Sequence, residues 1–350
     1  MQDRYILITG GAGFIGTNVA RSYLEEDCPV HIFDNLSRPG VERNLRELQD
    51  AYPGRVRFTH GDTWNRAEVE KAVSTAAAIY HFAAQVAVTT SLENPLADLE
   101  TNLLGTLHIL EAMRKYGQNS LLFTSTNKVY GRLRGIELCE TGSRYEPADA
   151  AIAGRGASER EPLEFLSPYG CSKGSADQYV LDYAHSFGIR AAVFRMSCIY
   201  GPYQLGSEDQ GWVAHFLRQA MKAEPVTVYG DGKQVRDLLF VEDLVRAMRL
   251  AQAQMERISG QAFNLGGGPE NSASLLEVLR EIEDLTETPV SIEWGAERLA
   301  DQHWYVADTS KVRRALGWRP KVGIREGIRA LHHWYLQRPS LAARTQVQVA

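Results

Sequence analysis

Short apolar runs separated by helical patterns repeat along the chain up to about residue 200. The runs that predict strands lie at residues 5–9, 30–34, 57–60, 78–82, 121–125 and 191–195. Between them, apolar residues return every three or four positions, which is the spacing of an amphipathic helix. Strands that alternate with helices favour a parallel sheet with both faces covered. We therefore predict an α/β fold built on a doubly wound parallel sheet.

The alternation weakens after Pro202. Glycine-rich turns at 229–232 and 266–268, followed by a helix from Ser274, predict a smaller C-terminal lobe. The segment 238–254 and a strand at 263–265 are expected to return to the large sheet. The predicted units are a sheet domain of residues 1–202 and 238–266, a lobe of residues 203–237 and 267–338, and a frayed tail at 339–350.

The first strand runs into a glycine turn and a helix. Gly10, Gly13 and Gly16 have the spacing of a dinucleotide-binding turn, so we expect a Rossmann-type sheet. Gly10 permits the tight turn, Gly13 lets the backbone approach a pyrophosphate, and Gly16 lets the helix pack on the sheet. A carboxylate at Asp34, where the second strand ends, favours NAD because it repels the 2′-phosphate of NADP. Arg38 weakens this preference, unless it is a solvated loop charge.

A phenol and an ammonium lie one helical turn apart near the start of a later predicted helix. Ser167 is a good N-cap and Pro168 a good first helical residue, and the pattern ends at Gly188. Tyr169 and Lys173 therefore share one face. A free tyrosine has a pKa of about 10, and a base near neutral pH needs a value about 3 units lower. A neighbouring ammonium and a nicotinamide cation could supply that shift together.

Small and polar residues cluster where the predicted strands end. They are Gly61 and Asp62, residues 83–85, residues 126–128 and residues 200–202. Ligands of open parallel sheets bind beyond the carboxyl ends of the strands. We therefore expect one crevice to collect these groups. His81, also at a strand end, is expected to be a packed residue and not a catalyst.

Charge and composition exclude several other classes. The chain of 350 residues has a formal net charge of −5 and no basic run, which argues against nucleic-acid or anionic-membrane binding. It shows neither a signal-peptide pattern nor an apolar run long enough to cross a bilayer, so we expect a cytoplasmic enzyme. Cys28, Cys139, Cys171 and Cys198 lack paired metal-ligand spacing. We expect reduced, mostly buried thiols and no metal site.

Several motifs occur in one order along the chain: the glycine turn, Gly61–Asp62, the turn at 129–131, and Tyr169 with Lys173. Together they resemble the extended short-chain dehydrogenase/reductases of the nucleotide-sugar epimerase/dehydratase family, over about Tyr5 to Trp334. Within that family, some segments most closely resemble the CDP-paratose 2-epimerases, also called CDP-tyvelose epimerases. These segments are 85–91, 125–131, 167–173, 209–212 and 232–237.

The resemblance implies a catalytic set of Thr126, Tyr169 and Lys173. Tyr169 would remove a sugar hydroxyl proton while hydride passes to the nicotinamide, Lys173 would hold the cofactor ribose and lower the tyrosine pKa, and Thr126 would hydrogen-bond the reacting oxygen. The family's 4,6-dehydratases follow that threonine with an acidic pair, where this chain has Asn127 and Lys128. The resemblance therefore favours a redox-neutral epimerisation. Such a reaction needs no second base, because the planar keto sugar can turn before hydride returns.

The resemblance also implies which residues touch the ligands. NAD is expected to contact Gly10, Gly13, Phe14, Ile15, Gly16, Asp34, Asn35, Ser37, Arg38, Asp62, Thr63, Phe82, Ala83, Ala84, Gln85, Thr124, Tyr169 and Lys173. The nucleotide sugar is expected to contact Gln85, Thr89, Asn127, Lys128, Val226, Tyr229, Arg236 and Arg298, with Thr90 beside them.

Two of these assignments keep a second interpretation. Arg236 and Arg298 match positions that contact the diphosphate, and an arginine fork suits phosphate oxygens, but each could instead form a surface salt bridge. Gln85 either lines the sugar pocket or satisfies backbone groups in its own turn. The resemblance also departs at Met196 and Tyr203, where related 2-epimerases carry a histidine and an arginine. These departures put paratose itself in question as the sugar.

Three functions stay open from the sequence. The first is epimerisation at C2 of a CDP-hexose, such as CDP-paratose or CDP-glucose, with NAD. The second is a UDP-sugar 4-epimerase, and the third is a non-catalytic NAD-binding sensor, which would not require Thr126, Tyr169 and Lys173. The helices near 99–114 and 168–185 resemble the family's four-helix interface. The resemblance therefore implies a homodimer or a dimer of dimers.

Overall fold

The structure is a computed structural model that describes residues 5–117, 120–299 and 301–338. The tail expected at 339–350 lies outside the described residues.

The strands are β1 Tyr5–Thr9, β2 Val30–Asp34, β3 Val56–His60, β4 Ala76–His81, β5 Ser120–Thr126, β6 Leu138–Thr141, β7 Arg144–Pro147, β8 Arg190–Met196, β9 Cys198–Tyr200, β10 Val226–Tyr229, β11 Val235–Phe240, β12 Ala262–Leu265, β13 Ser272–Ser274, β14 Ile292–Gly295 and β15 Trp304–Tyr305.

The helices are α1 Phe14–Leu24, α2 Val41–Ala51, α3 Arg66–Ser74, α4 Val88–Glu93, α5 Pro95–Leu99, α6 Gly105–Tyr116, α7 Ala150–Arg155, α8 Pro168–Phe187, α9 Trp212–Met221, α10 Val241–Ala253, α11 Met255–Ile258, α12 Leu275–Thr286, α13 Ser310–Leu316 and α14 Ile324–Leu336. A π-helical turn spans Glu100–Leu104, and 3-10 turns span Asn127–Tyr130 and Pro269–Asn271.

A parallel sheet forms the centre of the fold. Within the described residues it has seven strands in the order β12-β8-β5-β4-β1-β2-β3. This order confirms the predicted doubly wound α/β fold. The strand order reverses between β1 and β4, and the carboxyl ends of such strands border a ligand crevice.

Both faces of the sheet are covered by helices, as its apolar strands require. Val19 of α1, Leu45 of α2 and Leu244 of α10 pack in the core on one face. Val69 of α3 and Val180 of α8 pack in the core on the other. The sheet is therefore a rigid floor for whatever binds at its edge.

The smaller lobe has a core of its own, formed by α9, α12 and α14 around Val213, Leu279 and Leu331. Val312 and Leu316 of α13 instead pack with the core of the large sheet. The predicted division into two domains stays a prediction.

The expected return of 238–254 to the large sheet is wrong for its strand and right for its helix. β11 pairs with β9, β13 and β15 in a separate small sheet. Val241 and Leu244 of α10 then pack on the large sheet. The strand at 263–265 does return, since β12 pairs with β8. A short apolar strand carries no signal for which of two sheets it joins.

The helix that carries the phenol and the ammonium begins and ends where the sequence predicts. The Ser167 hydroxyl accepts a hydrogen bond from the Gly170 amide at 3.2 Å, and α8 ends at Gly188 in the left-handed conformation. Tyr169 and Lys173 are both buried. This helix therefore holds the two side chains against the sheet and away from bulk solvent.

The cysteines differ from expectation. Cys139 and Cys171 are exposed, and Cys28 and Cys198 are half-buried. Cys139 lies in the β6–β7 hairpin, whose β6 strand is largely solvent-exposed. In the described ranges no helix is both long enough and apolar enough to span a bilayer.

Candidate active site

A cavity of about 730 Å³ lies at the carboxyl edge of the sheet. Its walls come from the glycine turn after β1, the ends of β2, β4, β5 and β8, the first turn of α8 and the loop before α9. Of the strand-end clusters predicted to share one crevice, Gly61–Asp62, residues 83–85 and Thr126 line it. The prediction is wrong for residues 127–128 and 200–202, which lie outside the lining. The cavity thus collects groups that are far apart in sequence.

The residues expected to touch NAD all line this cavity, as does Thr126. They are Gly10, Gly13, Phe14, Ile15, Gly16, Asp34, Asn35, Ser37, Arg38, Asp62, Thr63, Phe82, Ala83, Ala84, Gln85, Thr124, Tyr169 and Lys173.

The glycine turn is shaped for a close-lying ligand. Gly10 has φ of +67°, and a Cβ there would lie 2.7 Å from the Ala83 amide nitrogen. A Cβ at Gly16 would overlap the Gly10 carbonyl oxygen. Helix α1 begins at Phe14 with no side-chain cap and no acidic residue in its first turn. Its free N–H groups can therefore receive a phosphate, which is what a dinucleotide needs at this position.

Asp34 and Arg38 stand together at the end of β2. The Asp34 carboxylate accepts hydrogen bonds from the amides of Ala12 at 3.0 Å and Leu36 at 2.8 Å. Burial lowers the pKa of Arg38, and the charges of Tyr169 and Asp34 oppose that shift. Arg38 is nevertheless exposed at the surface, so it is a solvent-accessible loop charge that also lines the cavity.

Tyr169 faces Thr126 across the cavity wall. The Thr126 hydroxyl accepts a hydrogen bond from the Lys128 amide at 3.2 Å. Burial raises the pKa of Tyr169 to about 12, although the Thr126 hydroxyl and the Arg38 charge act in the other direction. The protein residues alone therefore do not supply the expected lowering of the tyrosine pKa, because desolvation outweighs them.

Lys173 lies behind Tyr169, one turn further along α8. Its Nζ sits 4.2 Å from the centre of the Phe123 ring. Burial lowers the pKa of Lys173 to about 7, while the charges of Asp177 and Asp98 oppose the shift. The lysine is therefore poised to change its charge near neutral pH.

His81 is a packed residue, as expected. Its ring nitrogens lie 2.6 Å from the Thr9 hydroxyl and 3.0 Å from the Thr106 hydroxyl. Burial lowers the pKa of His81 to about 3, so the ring is neutral at physiological pH.

Lys128 and Arg236, both expected to hold the sugar nucleotide, lie outside the cavity lining and share one carboxylate. The Asp301 carboxylate pairs with Lys128 at 3.2 Å and Arg236 at 2.7 Å. Burial raises the pKa of Asp301, but the charges of Arg236 and Lys128 outweigh it and hold the pKa below its usual range. Arg236 thus forms a salt bridge, but a largely buried one that shares its carboxylate with another cation.

Arg298 also pairs with carboxylates. Its guanidinium lies 3.3 Å from Asp209 and 3.9 Å from the centre of the Tyr229 ring. Asp209 lines the cavity, so this pair stands at the cavity's edge. Asn127 is buried beside Thr126, with 3.3 Å between the Thr126 hydroxyl and the Asn127 side-chain oxygen.

Two substrate assignments, Val226 and Thr89, need correction. The Val226 side chain is fully buried in the core of the lobe, because alternation along β10 turns it inward and Tyr229 outward. Thr90 lines the cavity and Thr89 does not, since successive residues of α4 point in different directions. Gln85 serves both proposed purposes, lining the cavity while its amide bonds the Ala87 backbone.

Sequence reasoning missed part of the wall. Ser125 and Gln204 line the cavity, and each carries a buried side-chain oxygen without a partner among the described residues. Trp212 lines it too, and the resemblance of segment 209–212 was the signal for it. Met196 lines the cavity, whereas Tyr203 packs against Trp334 outside its lining. Only the departure at Met196 therefore reaches the site directly.

A Rossmann-type sheet with a glycine turn, an adjacent threonine, tyrosine and lysine, and a smaller lobe defines the class of NAD-dependent nucleotide-sugar epimerases and dehydratases. Residues 7–331 match the family described as GDP-mannose 4,6 dehydratase. The chain belongs to this family of extended short-chain dehydrogenase/reductases.

Curated relatives include two epimerases. The chain is 42% identical to the CDP-paratose 2-epimerase of Salmonella typhi, over 94% of this chain and 98% of that protein. It is 31% identical to the putative UDP-glucose 4-epimerase of Methanocaldococcus jannaschii, over 94% of this chain and 97% of that protein.

Similar proteins of known structure also include epimerases. The Thermus thermophilus UDP-glucose 4-epimerase in complex with NAD is 32% identical, with a TM-score of 0.80 and coverage of 95% of this chain and 99% of that one. The Bacillus cereus UDP-glucuronic acid 4-epimerase in complex with UDP-glucuronic acid and NAD is 26% identical, with a TM-score of 0.82 and coverage of 95% and 99%.

Proposed function

We propose that this protein is an NAD-dependent nucleotide-sugar epimerase that inverts C2 of a CDP-hexose. One observation carries the proposal: the chain is 42% identical to a CDP-paratose 2-epimerase and 31% identical to a putative UDP-glucose 4-epimerase, each over 94% of its length. CDP-paratose, its 2-epimer CDP-tyvelose, and CDP-glucose are the substrates to test.

NAD is the cofactor, and the residues present fit it. The turn at Gly10–Gly16 and the uncapped start of α1 would hold the pyrophosphate, Asp34 the adenosine ribose and Lys173 the nicotinamide ribose. When bound, NAD supplies a hydride acceptor and then a hydride donor, and its cationic form places a positive charge beside the phenol.

Tyr169 would take the sugar hydroxyl proton during oxidation and return it during reduction. Its position in the same cavity wall as Thr126 supports this role, because the two hydroxyls can orient the same reacting oxygen. Since burial favours the protonated phenol, the base form needs positive charge nearby. A protonated Lys173 would provide part of it.

The surroundings of Thr126 disfavour elimination. A dehydratase needs acid and base groups beside the reacting carbon. The Asn127 amide does not ionise near neutral pH, and Lys128 is paired with Asp301. The Asp301 carboxyl has a pKa below its usual range, so it is a poor proton donor at neutral pH. Redox-neutral epimerisation requires none of these groups to ionise.

Epimerisation at C4 of a UDP-sugar is the second candidate. Solved structures of UDP-sugar 4-epimerases match 95% of the chain with TM-scores of 0.80 to 0.82. The catalytic set Thr126, Tyr169 and Lys173 fits oxidation at either carbon, so the pose of the sugar decides between them.

We also propose that two copies associate through α5, the π-helical turn, α6 and α8. Leu96 is 71% exposed, and Leu99, Tyr179 and Phe187 are exposed on the same group of helices. Exposed apolar side chains on neighbouring helices favour burial against a second copy.

A substrate panel tests the proposed function. Purified protein with NAD is incubated with CDP-, UDP- and GDP-hexoses, and products are identified by NMR, with the Tyr169→Phe protein as the inactive control. We expect a CDP-hexose to give its 2-epimer. Conversion of a UDP-hexose to its 4-epimer, without C2 inversion of any CDP-hexose, would replace the proposal with the second candidate.

A further inference from the structure

A buried carboxylate lies beneath the first turn of α8. Asp98, in α5, is fully buried, and within the described residues it forms no ion pair. It accepts hydrogen bonds from the Ser172 hydroxyl and from the Asn102 amide, the latter at 3.1 Å. A buried carboxylate is costly unless it is hydrogen-bonded and near a positive charge, so its presence calls for a reason.

The hydrogen bonds of Asp98 connect two walls of the cavity. Asn102 bonds both backbone groups of Gln85, accepting from its amide at 2.9 Å and donating to its carbonyl at 3.0 Å. Ser172 lies between Tyr169 and Lys173 in α8, and its hydroxyl is 3.2 Å from the Tyr169 carbonyl. The network therefore fixes the loop after β4 relative to the turn that carries the phenol.

Lys173 is the cation whose charge acts on Asp98. Two carboxylates raise the Lys173 pKa, Asp177 more strongly than Asp98. Asp177 is also paired with Arg195 through two contacts of 2.9 Å. Phe123 offers only its ring face, and His81 is neutral. Asp98 is thus the carboxylate beside Lys173 that no arginine neutralises.

The groups around Asp98 and Lys173 shift the pKa values of these two side chains and of Tyr169. Burial raises the pKa of Asp98, and the Ser172 hydrogen bond and the Lys173 charge oppose the shift. The Asp98 charge in turn raises the pKa of Lys173 and that of Tyr169. On the cavity side, Arg38 opposes the effect on Tyr169.

We propose that Asp98 is a positioning residue that fixes the first turn of α8 through Ser172 and, together with Asp177, supplies negative charge that favours the ammonium form of Lys173. This inference rests on the proposed roles of Tyr169 and Lys173. Asp98 reaches neither the cofactor nor the sugar; it acts through the helix and through the field at the lysine.

The test removes the charge and keeps the shape. In Asp98→Asn the side-chain oxygen can still accept from Asn102 while its amide donates to Ser172, whose hydroxyl can rotate. Loss of the negative charge disfavours the ammonium, so the Lys173 pKa should fall by about one unit from its value near 7. The readout is NMR titration of protein labelled with 13C at lysine Cε, with the Lys173 signal assigned by Lys173→Arg.

Asp243→Asn is the matched control, because Asp243 is also a fully buried carboxylate but lies in α10, where it accepts from the Lys321 and Val322 amides. This control should leave the Lys173 midpoint unchanged. Asp98→Ser, also neutral, replaces Asp98→Asn if the latter does not fold. A Lys173 midpoint that stays at the parent value in the folded neutral variant would overturn the proposal.

Turnover gives an independent readout where a substrate is found. Removing the Asp98 charge should lower the pKa of Lys173 and the pKa of Tyr169. Both limbs of the pH profile of kcat/KM should therefore move to lower pH. Ser172→Ala, which keeps the charge, should lower kcat without moving either limb. If no sugar nucleotide turns over, the proposed function fails, and the lysine titration still decides the role of Asp98.

Discussion

The Tyr169 hydroxyl is the single atom on which the proposed chemistry depends. Tyr169→Phe removes it while keeping the ring that packs at the start of α8. We expect turnover to fall by about 10²-fold or more, the usual scale for losing a positioned acid or base, with NAD and substrate still bound. Steady-state kinetics and fluorescence titration measure the two effects. Tyr179→Phe, on the exposed side of the same helix, is the control. Near-normal turnover in folded Tyr169→Phe would reject Tyr169 as the base.

We propose that Asp34 sets the choice between NAD and NADP. Its carboxylate is fixed by two backbone amides, so it should repel a 2′-phosphate and make stripped protein bind NAD more tightly than NADP. Asp34→Ser should narrow this difference, because Arg38 faces the same cavity and can pair with the phosphate. Isothermal titration calorimetry with NAD and with NADP measures the difference in affinity. The double variant Asp34→Ser/Arg38→Ala should lose the NADP affinity that Asp34→Ser gains. Tighter NADP binding to the parent protein would contradict this role of Asp34.

Among the elements, the turn between β1 and α1 leaves little room for an added side chain. A Cβ at Gly16 would overlap the Gly10 carbonyl and the Gly11 backbone. Gly16→Ala should therefore lower the free energy of unfolding by about 1 to 3 kcal/mol, the usual cost of overpacking, and weaken NAD binding. Denaturant unfolding and NAD titration test this. Gly135→Ala, where a Cβ meets nothing within 4 Å, should change neither quantity. Parent-like stability and NAD affinity in Gly16→Ala would show that the turn relaxes freely.

Elements with strong local signals were predictable from sequence. α8 carries its cap at Ser167 and its stop at Gly188, and both signals act within one turn of the helix. The assignment of β11 failed because its partners β9, β13 and β15 are set by the packing of the lobe. Periodicity reports which face of a strand is buried, but not which sheet the strand joins.

The expected NAD residues and the expected substrate residues also differ in how far the sequence could predict their arrangement. The cavity residues expected for NAD follow strand ends in a fixed order, so the topology of the sheet brings them together. The substrate cluster depends on contacts between distant segments, such as Lys128 with Asp301 and Arg298 with Asp209. Neither carboxylate was singled out as an ion-pair partner from sequence, because no local pattern links it to its cation.

At the scale of the whole molecule, the exposed apolar side chains of α5 and α8 predict that two copies of the chain associate. Leu96→Asp places a charge where the proposed dimer buries leucine, so it should convert a dimer to a monomer in sedimentation velocity. Leu299→Asp is the matched control, because Leu299 is 67% exposed on the other lobe, close to the 71% of Leu96. A monomeric parent, or a Leu96→Asp protein that dimerises as the parent does, would contradict the proposed interface.

The route of one hydrogen atom distinguishes the proposed reaction from its alternatives. Oxidation and reduction at C2 move hydride out of the sugar and back, while Tyr169 exchanges only the hydroxyl proton, so solvent has no path to the carbon. Deuterium placed at C2 of the CDP-hexose should therefore persist in the 2-epimer formed in ordinary water, and unlabelled substrate should gain none in heavy water. NMR and mass spectrometry of the product measure both. Solvent deuterium at C2 would instead mean that a base removes the C2 proton beside a carbonyl. Inversion at C4 with C2 untouched would mean that the cavity presents the other carbon to Tyr169.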